Sequence, residues 1–527
     1  MKKLFILSYL MLSVTLAFAQ KKAPENWFNL DYKKNKVYGV STERAYDELL
    51  KGKTPKYITV AVIDGGIDYN HEDLKNVMWV NSKEKINNTD DDQNGYADDI
   101  YGWNFIGGKD SNYIYDLLEA TRIYNKLKNK FEDKDGKFIN ENDNDFALFK
   151  KARYYYYKSY NEASAYAKGY GNLIESIRDI FTNSGKENPT AKDLDYFKPT
   201  NPKEKNRLSV AKMVAKTGGL QNSPIMNQLN EIYNHFNDQV KYNLDNNADP
   251  RYLVGDNYED KKERFYGNNK VDAPNAGHGT HVAGIIAAQR DNEMGIKGVS
   301  ATARIMALRV VPDGDERDKD IANAIIYAVD NGAKIINMSF GKPISPDKDL
   351  VDAAVKYAMS KDVLLVHAAG NDNKNIDTMD NYPTAVFKSG DFTAPNWIEV
   401  GASTWKKGKH IVAPFSNFGK NKVDVFAPGY DINSCAPGSN YEVQSGTSMA
   451  APVTSGVAAI LRSYYPHLTA TQTKDIIMRS VVVYNKKVVV PGSRKHKLKL
   501  NELSKTGGIV NVYNAILLAE KEYKNPN

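Results

Sequence analysis

Apolar residues in this chain fall in short unbroken blocks. The first, YITVAVIDGGI (Tyr57 to Ile67), sets six apolar or β-branched residues ahead of Asp64 and a glycine pair. Such a block predicts a strand buried on both faces that ends in a carboxylate and a tight turn. The pattern returns in ARIMALRVV (Ala303 to Val311), AKIINMSFG (Ala333 to Gly341), VLLVHAAGN (Val363 to Asn371) and WIEVGAS (Trp397 to Ser403). Between these blocks, DIANAIIYAVDNG (Asp320 to Gly332) and LVDAAVKYAMSKD (Leu350 to Asp362) carry apolar residues at helical spacing. Strand and helix in alternation predict an α/β domain with a parallel sheet and right-handed crossovers. Functional groups then collect at the carboxyl ends of the strands, where Asp64, Ser339 and Asn371 stand.

One section breaks the pattern. From about Asn81 to Lys270 no such strand is expected, and residues 113 to 240 are polar and helical in period. Seven tyrosines lie between Tyr154 and Tyr170, read here as the packing face of a helical insertion. The segment PDGDERDKD (Pro312 to Asp320) holds five acids and two basic residues and reads as a solvated turn.

The composition narrows the class. Across 527 residues, 41% are hydrophobic and 26% charged, which fits a folded soluble protein and excludes a fibrous or disordered one. A net charge of +7 over this length points to no nucleic-acid role. MKKLFILSYLMLSVTLAFAQ has a basic start, a short apolar run and a small-x-small site, so residues 1–19 read as a signal peptide cut before Gln20. No later segment is apolar enough to span a membrane. An exported protein is expected, extracellular or periplasmic, and monomeric. The single cysteine, Cys435, excludes an internal disulfide. The domain reading is 1–19 signal peptide, 20–80 N-terminal segment and first part of the α/β domain, 81–270 acidic, calcium-type loop and helical insertion, and 271–527 the remainder of the α/β domain with a C-terminal segment.

Three further stretches carry chemistry. VAVIDGGID contains Asp64, HGTHVAGIIAA contains His278 and His281, and SGTSMAAPVTSGVAAIL contains Ser448. Ser448 follows a small-residue turn and opens a helix, where developing negative charge is favoured. A serine needs a base to take its proton and a carboxylate to orient that base. A fourth stretch, HAAGNDN, ends a strand at Asn371, whose amide can donate to an oxyanion. Taken singly, Ser448 reads as a helix cap, Asp64 as a turn cap and Asn371 as a turn asparagine. Together, in the order Asp, His, Ser, the four stretches resemble the subtilisin-like serine proteases, the subtilases.

The resemblance covers about Tyr57 to His71 and Asn275 to Leu461. It implies an α/β, three-layer fold with a central mostly parallel sheet flanked by helices, here carrying a large mainly helical insertion. It implies that Asp64 orients His278, that His278 is general base and acid, and that Ser448 attacks the peptide carbonyl. Asn371 and the Ser448 amide would form the oxyanion hole. Ser339, Phe340 and Gly341 would pair with substrate backbone, and Ala368, Ala369 and Gly370 would form the opposite wall of an apolar primary pocket. The substrates would be polypeptides. The family's usual folding propeptide does not fit ahead of Asp64, so folding without one is expected. His281 reads as a core histidine. Two readings of other classes are an inactive subtilase-like binding protein and a zinc hydrolase built on His278 and His281; for zinc, no motif supplies a third ligand.

NTDDDQNGYADDIYGW (Asn88 to Trp103) suits calcium. Asp90, Asp92, Asn94 and Gly95 follow calcium-loop spacing, with Asp98 or Asp99 as a further ligand. A second calcium ligand, implied by the resemblance, is Asp73, with Asp291 or Asn292 as partner.

Overall fold

The structure, a computed structural model, describes residues 22–109, 111–247 and 249–523. The segment read as a signal peptide lies outside the described residues. The five apolar blocks become strands β1 (Ile58–Asp64), β3 (Ala303–Arg309), β4 (Ile335–Met338), β5 (Leu364–Ala368) and β6 (Trp397–Ser403), and two strands not read from the sequence, β2 (Gly102–Asn104) and β7 (Val425–Pro428), join them. A hairpin follows, β8 (Ile432–Ala436) with β9 (Asn440–Gln444). The remaining strands are β10 (Val482–Val483), the pair β11 (Lys487–Val489) and β12 (Lys497–Lys499), and β13 (Gly508–Ile509).

Among the described residues, nine strands make the central sheet, in the order β10-β13-β7-β6-β5-β4-β1-β3-β2. Every pair is parallel except β10 with β13. Alternation along a strand sends its side chains to two cores. Val60 and Val62 of β1 join Val282 and Ile285 of helix Gly277–Ala287, and Val453 and Val457 of helix Thr447–Tyr464. Ala61 and Ile63 join Ile321 and Ile325 of helix Asp318–Asp330, and Val351 and Val355 of helix Lys348–Ser360. The result is helix, sheet, helix: three layers with both faces of the sheet covered.

The chain divides into two compact units. Of the described residues, one comprises those of 23–119 with 249–523 and the other comprises residue 22 with 120–247. The separate unit is thus narrower than the 81–270 segment read from the sequence. The reason is β2, which adds to the sheet edge beside β3, and Asn268, which bridges to Asn104. A three-residue edge strand leaves no long apolar block to recognise. Within the smaller unit, Leu173, Ile174, Ile177 and Phe181 of helix Phe146–Thr182 pack with Val210, Val214, Ile225 and Leu229. Of its clustered tyrosines, Tyr156 is buried and stacks on Tyr124, whereas Tyr154, Tyr157 and Tyr160 are exposed. The tyrosine run is therefore only partly a packing face.

Candidate active site

Because β1, β4 and β5 run parallel as neighbours, Asp64, Ser339 and Asn371 emerge along one edge of the sheet. Helix Gly277–Ala287 starts against that edge. A Cβ on Gly279 would lie 2.1 Å from the Gly66 carbonyl oxygen and 3.1 Å from Asp64 Cβ, so only glycine permits the approach. It brings His278 Nδ1 to 2.8 Å from Asp64 Oδ1 and 3.0 Å from Oδ2. Asp64 is buried, while the His278 side chain is 38% exposed, which places the ring at a mouth. With Nδ1–H donating to Asp64, Nε2 keeps its lone pair. Burial disfavours the charged ring, but the charge of Asp64 and its hydrogen bond outweigh that and raise the His278 pKa above 6.5.

His281, one turn on, has a different environment. It is buried, and its Nε2–H is shared between the carbonyl oxygens of Ile432 and Glu442, each at 3.1 Å. Burial lowers its pKa to about 4. His278 faces Asp64 and His281 faces two backbone carbonyls, so the two rings have different partners; among the described residues, the carboxylate group suited to a metal includes neither.

Ser448 is the second residue of helix Thr447–Tyr464. Its hydroxyl donates to the Ser339 carbonyl at 3.0 Å, and the Ser339 hydroxyl donates back to the Ser448 carbonyl at 2.9 Å. Pro452 explains why that carbonyl is available. Four residues on, it has no N–H to close the helical hydrogen bond. Asn337 Nδ2 donates to Ser339 Oγ, and Ser455 Oγ donates to Asn337 Oδ1, so the contact is held from within the core. Among the described residues, the Ser448 hydroxyl makes no hydrogen bond to His278.

Asn371 is exposed at the end of β5. Its Oδ1 accepts from Thr447 N at 2.8 Å and from Thr447 Oγ1 at 3.0 Å, and Thr447 Oγ1 accepts from Gly370 N. Two donors on Oδ1 fix the amide orientation and leave Nδ2 as the free donor. That nitrogen lies beside Gly446, just ahead of the Ser448 helix. Thr447, which the sequence reading passed over, therefore positions Asn371.

The segments Ser339–Gly341 and Ala368–Gly370 lie at the ends of the neighbouring parallel strands β4 and β5. The side chains of Ala368 and Ala369 are buried, and Ser339 is buried too, while Phe340 is half-buried and Gly341 exposed. Between Gly341 and Gly370 stands Asn381. A Cβ on Gly341 would meet its Oδ1 at 2.6 Å, and one on Gly370 would meet its Nδ2 at 3.3 Å. Asn381 Nδ2 donates to the Ala368 carbonyl. An amide thus stands against both walls, a polar group that the reading from Phe340 and the alanines did not contain. DNYP looks like any turn, and no local signal marked Asn381.

A family model described as the subtilase family matches residues 56–508. The chain belongs to the subtilase family. Over 187 residues it is 42% identical to a thermophilic serine proteinase of Bacillus sp. (strain AK1), covering 35% of this chain and 42% of that one. It is 39% identical over 200 residues to thermitase of Thermoactinomyces vulgaris, covering 38% and 66%. It is 37% identical over 202 residues to subtilisin E of Bacillus subtilis (strain 168), covering 38% and 49%. The match thus spans between about two fifths and two thirds of these relatives' lengths.

Beside this subtilase core, the acidic loop is tied by its own carboxylates, which accept from backbone N–H groups of the turn. Glu84, Asp90 and Asp92 each offer a carboxylate oxygen, all within 4.8 Å of one another. Glu84 was not anticipated, since it precedes the loop in sequence. Its carboxylate accepts from the backbone of Asp92 and Asp98, which draws it into the turn. The other expected ligands of this loop lie outside that trio. Asp98 accepts from the backbone of Asn87 and Asn88. Asp99 is buried and accepts from Tyr327, Asn81 and Asn94; burial raises its pKa to about 6. Asn94 Oδ1 accepts from the backbone N–H of Tyr96.

Asp73 is buried, and donors surround it: Asn292 Nδ2, Ile296 N at 3.0 Å and Tyr441 OH at 2.9 Å. These N–H and O–H groups surround the carboxylate; of the two partners expected for it, Asn292 is in contact and Asp291 is exposed.

The PDGDERDKD segment departs from its reading as a solvated turn. Glu316 to Asp320 are buried. Arg317 pairs with Asp116, Lys319 with Asp256 and Glu263, and Asp320 with Arg251. Their opposite charges come from segments distant in sequence, so the local composition misleads. Lys342, next to the Gly341 wall, is buried and donates to Glu119 at 2.8 Å and to the Glu316 carbonyl at 2.7 Å. Burial raises the Glu316 pKa to about 8.

Among the described residues no helix is long and apolar enough to cross a membrane.

Proposed function

We propose that this chain is an exported serine endopeptidase. The carrying observation is the convergence at one sheet edge of the Asp64–His278 pair, Ser448 at a helix start, and an Asn371 amide nitrogen oriented by Thr447. When a peptide binds, the Ser448 hydroxyl turns from the Ser339 carbonyl to His278 Nε2; such contacts tighten with substrate. Ser448 Oγ bonds to the carbonyl carbon as its proton passes to His278. Asp64 stabilises the resulting imidazolium, and Asn371 Nδ2 with the Ser448 N–H receives the oxyanion. The C–N bond then breaks, the amine leaves with the proton from His278, and water releases the acyl group by the same route. Substrate backbone adds alongside Ser339–Gly341. The basic, apolar and small-x-small order of residues 1–19 supports export.

Calcium fits the Glu84, Asp90 and Asp92 carboxylates, hard oxygens converging in one turning loop. Bound there it would be structural, remote in chemistry from the reaction.

The reading is tested by incubating the purified chain and its Ser448→Ala variant with an unfolded protein substrate. Fragments from the first alone support it. Equal cleavage by both, lost on chelating zinc, reverses it.

A further inference from the structure

His367 is fully buried in β5, in register between Met338 of β4 and Glu399 of β6. Its ring is gripped on both sides. Nε2 lies 2.9 Å from the Phe340 carbonyl oxygen, and Nδ1 lies 2.9 Å from Glu399 Oε1. A carbonyl only accepts, so Nε2 carries a hydrogen. The contact with Glu399 then needs a second proton, on Nδ1 or on the carboxyl group. Glu399 is itself fixed. Trp397 Nε1 donates to its Oε2 at 2.9 Å, and its backbone N–H donates to Asp424 Oδ2 at 2.9 Å. Lys474 and Lys505 face Asp424 in turn.

The other end of this relay is the segment assigned above to substrate pairing, and the inference rests on that assignment. Pairing of β4 with β5 ends at Met338 and His367. Beyond it, the Phe340 carbonyl meets an imidazole where a strand neighbour would have offered a backbone N–H. Successive carbonyls of an extended chain point to opposite sides. Holding the Phe340 carbonyl inward therefore sets the groups of Ser339 and Gly341 on the other side, where the Ser339 carbonyl meets the Ser448 hydroxyl. We propose that His367, backed by Glu399, is a positioning residue that sets the substrate-pairing edge Ser339–Gly341, governing the use of extended substrate rather than the reactivity of Ser448.

The test uses the full chain with His367→Ala, His367→Gln and Glu399→Gln. One readout is the rate of Ser448 labelling by a small fluorophosphonate. The other is kcat/KM, split into kcat and KM, for peptides lengthened stepwise on the acyl side of the scissile bond. His367→Ala should lose most of the gain that length gives, about 30-fold on the longest peptide, with labelling within about threefold of the parent, as expected for a misplacement on the ångström scale. His367→Gln, which keeps an N–H donor for Phe340, should recover much of that loss. Full length dependence in His367→Ala overturns the proposal, as does an equal fall in labelling and peptide cleavage. If His367→Ala does not fold, Glu399→Gln decides: loss of length dependence with labelling kept supports the proposal, and unchanged length dependence overturns it. A parent chain that takes no label overturns the peptidase reading, and this inference with it.

Discussion

His278 Nδ1 lies 2.8 Å from Asp64 Oδ1 although the two residues are 214 positions apart. A glycine at 279 lets the histidine helix settle onto the Asp64 turn. The contact sets the first prediction. Asp64→Asn should lower kcat by about 10⁴-fold, the size of effect found on removing the same carboxylate in subtilisin. The base acts when neutral, so activity should rise with pH through the His278 pKa. That pKa is raised above 6.5 by Asp64, so the acid limb of kcat/KM should lie on the alkaline side of 6.5 and move toward acid in Asp64→Asn. A pH–rate profile of both proteins checks the direction.

Asn371 should act on turnover more than on binding. Replacing it with leucine removes the Nδ2 donor, and kcat should fall about 10²–10³-fold with KM little changed, the cost observed in subtilisin itself. Thr447→Val removes one donor that orients the amide while the backbone N–H of Thr447 remains. It should cost less, about tenfold. Steady-state kinetics on one peptide substrate rank the two; a larger loss for Thr447→Val would contradict the assigned roles.

His281 gives a stability prediction of definite sign. Its pKa is depressed from 6.5 to about 4 by burial, so the unfolded chain binds the proton first. Stability is complete above pH 6.5 and falls as pH drops toward 4, by about 2–3 kcal/mol at pH 4.5. His281→Gln should flatten that acid slope. Urea midpoints at pH 7 and pH 4.5 measure it, and an unchanged slope would reject His281 as the source.

Calcium should stabilise the parent chain and fail to stabilise Glu84→Gln or Asp90→Asn. A ligand at about a hundred times its Kd contributes about 2.7 kcal/mol to a folded state that alone binds it. Thermal melts with calcium and with chelator make the comparison. An equal calcium response in parent and variants would move the site elsewhere.

What the sequence made legible follows from how each feature is encoded. The strand blocks around Asp64, Ser339 and Asn371 are contiguous and apolar, so the sheet and the edge that gathers these three residues could be read directly. The chemistry proposed for His278 and Ser448 lies in short glycine-bounded motifs, equally local. Asn381 and the His367–Glu399 pair were hidden because their roles arise from strand register and long-range approach. Glu316 to Asp320 misled for the same reason: their countercharges lie on Asp116, Arg251 and Asp256, which only the fold brings near. β2 escaped notice because three residues at a sheet edge carry too little periodicity.

The central claim is that Ser448 is the nucleophile. Its most direct measure is a fluorophosphonate adduct mapped by peptide mass spectrometry on the parent chain and on His278→Ala. The account predicts one adduct, on Ser448, forming readily in the parent and at a small fraction of that rate in the variant. An adduct on another residue, or equal labelling of Ser448 without His278, would contradict it.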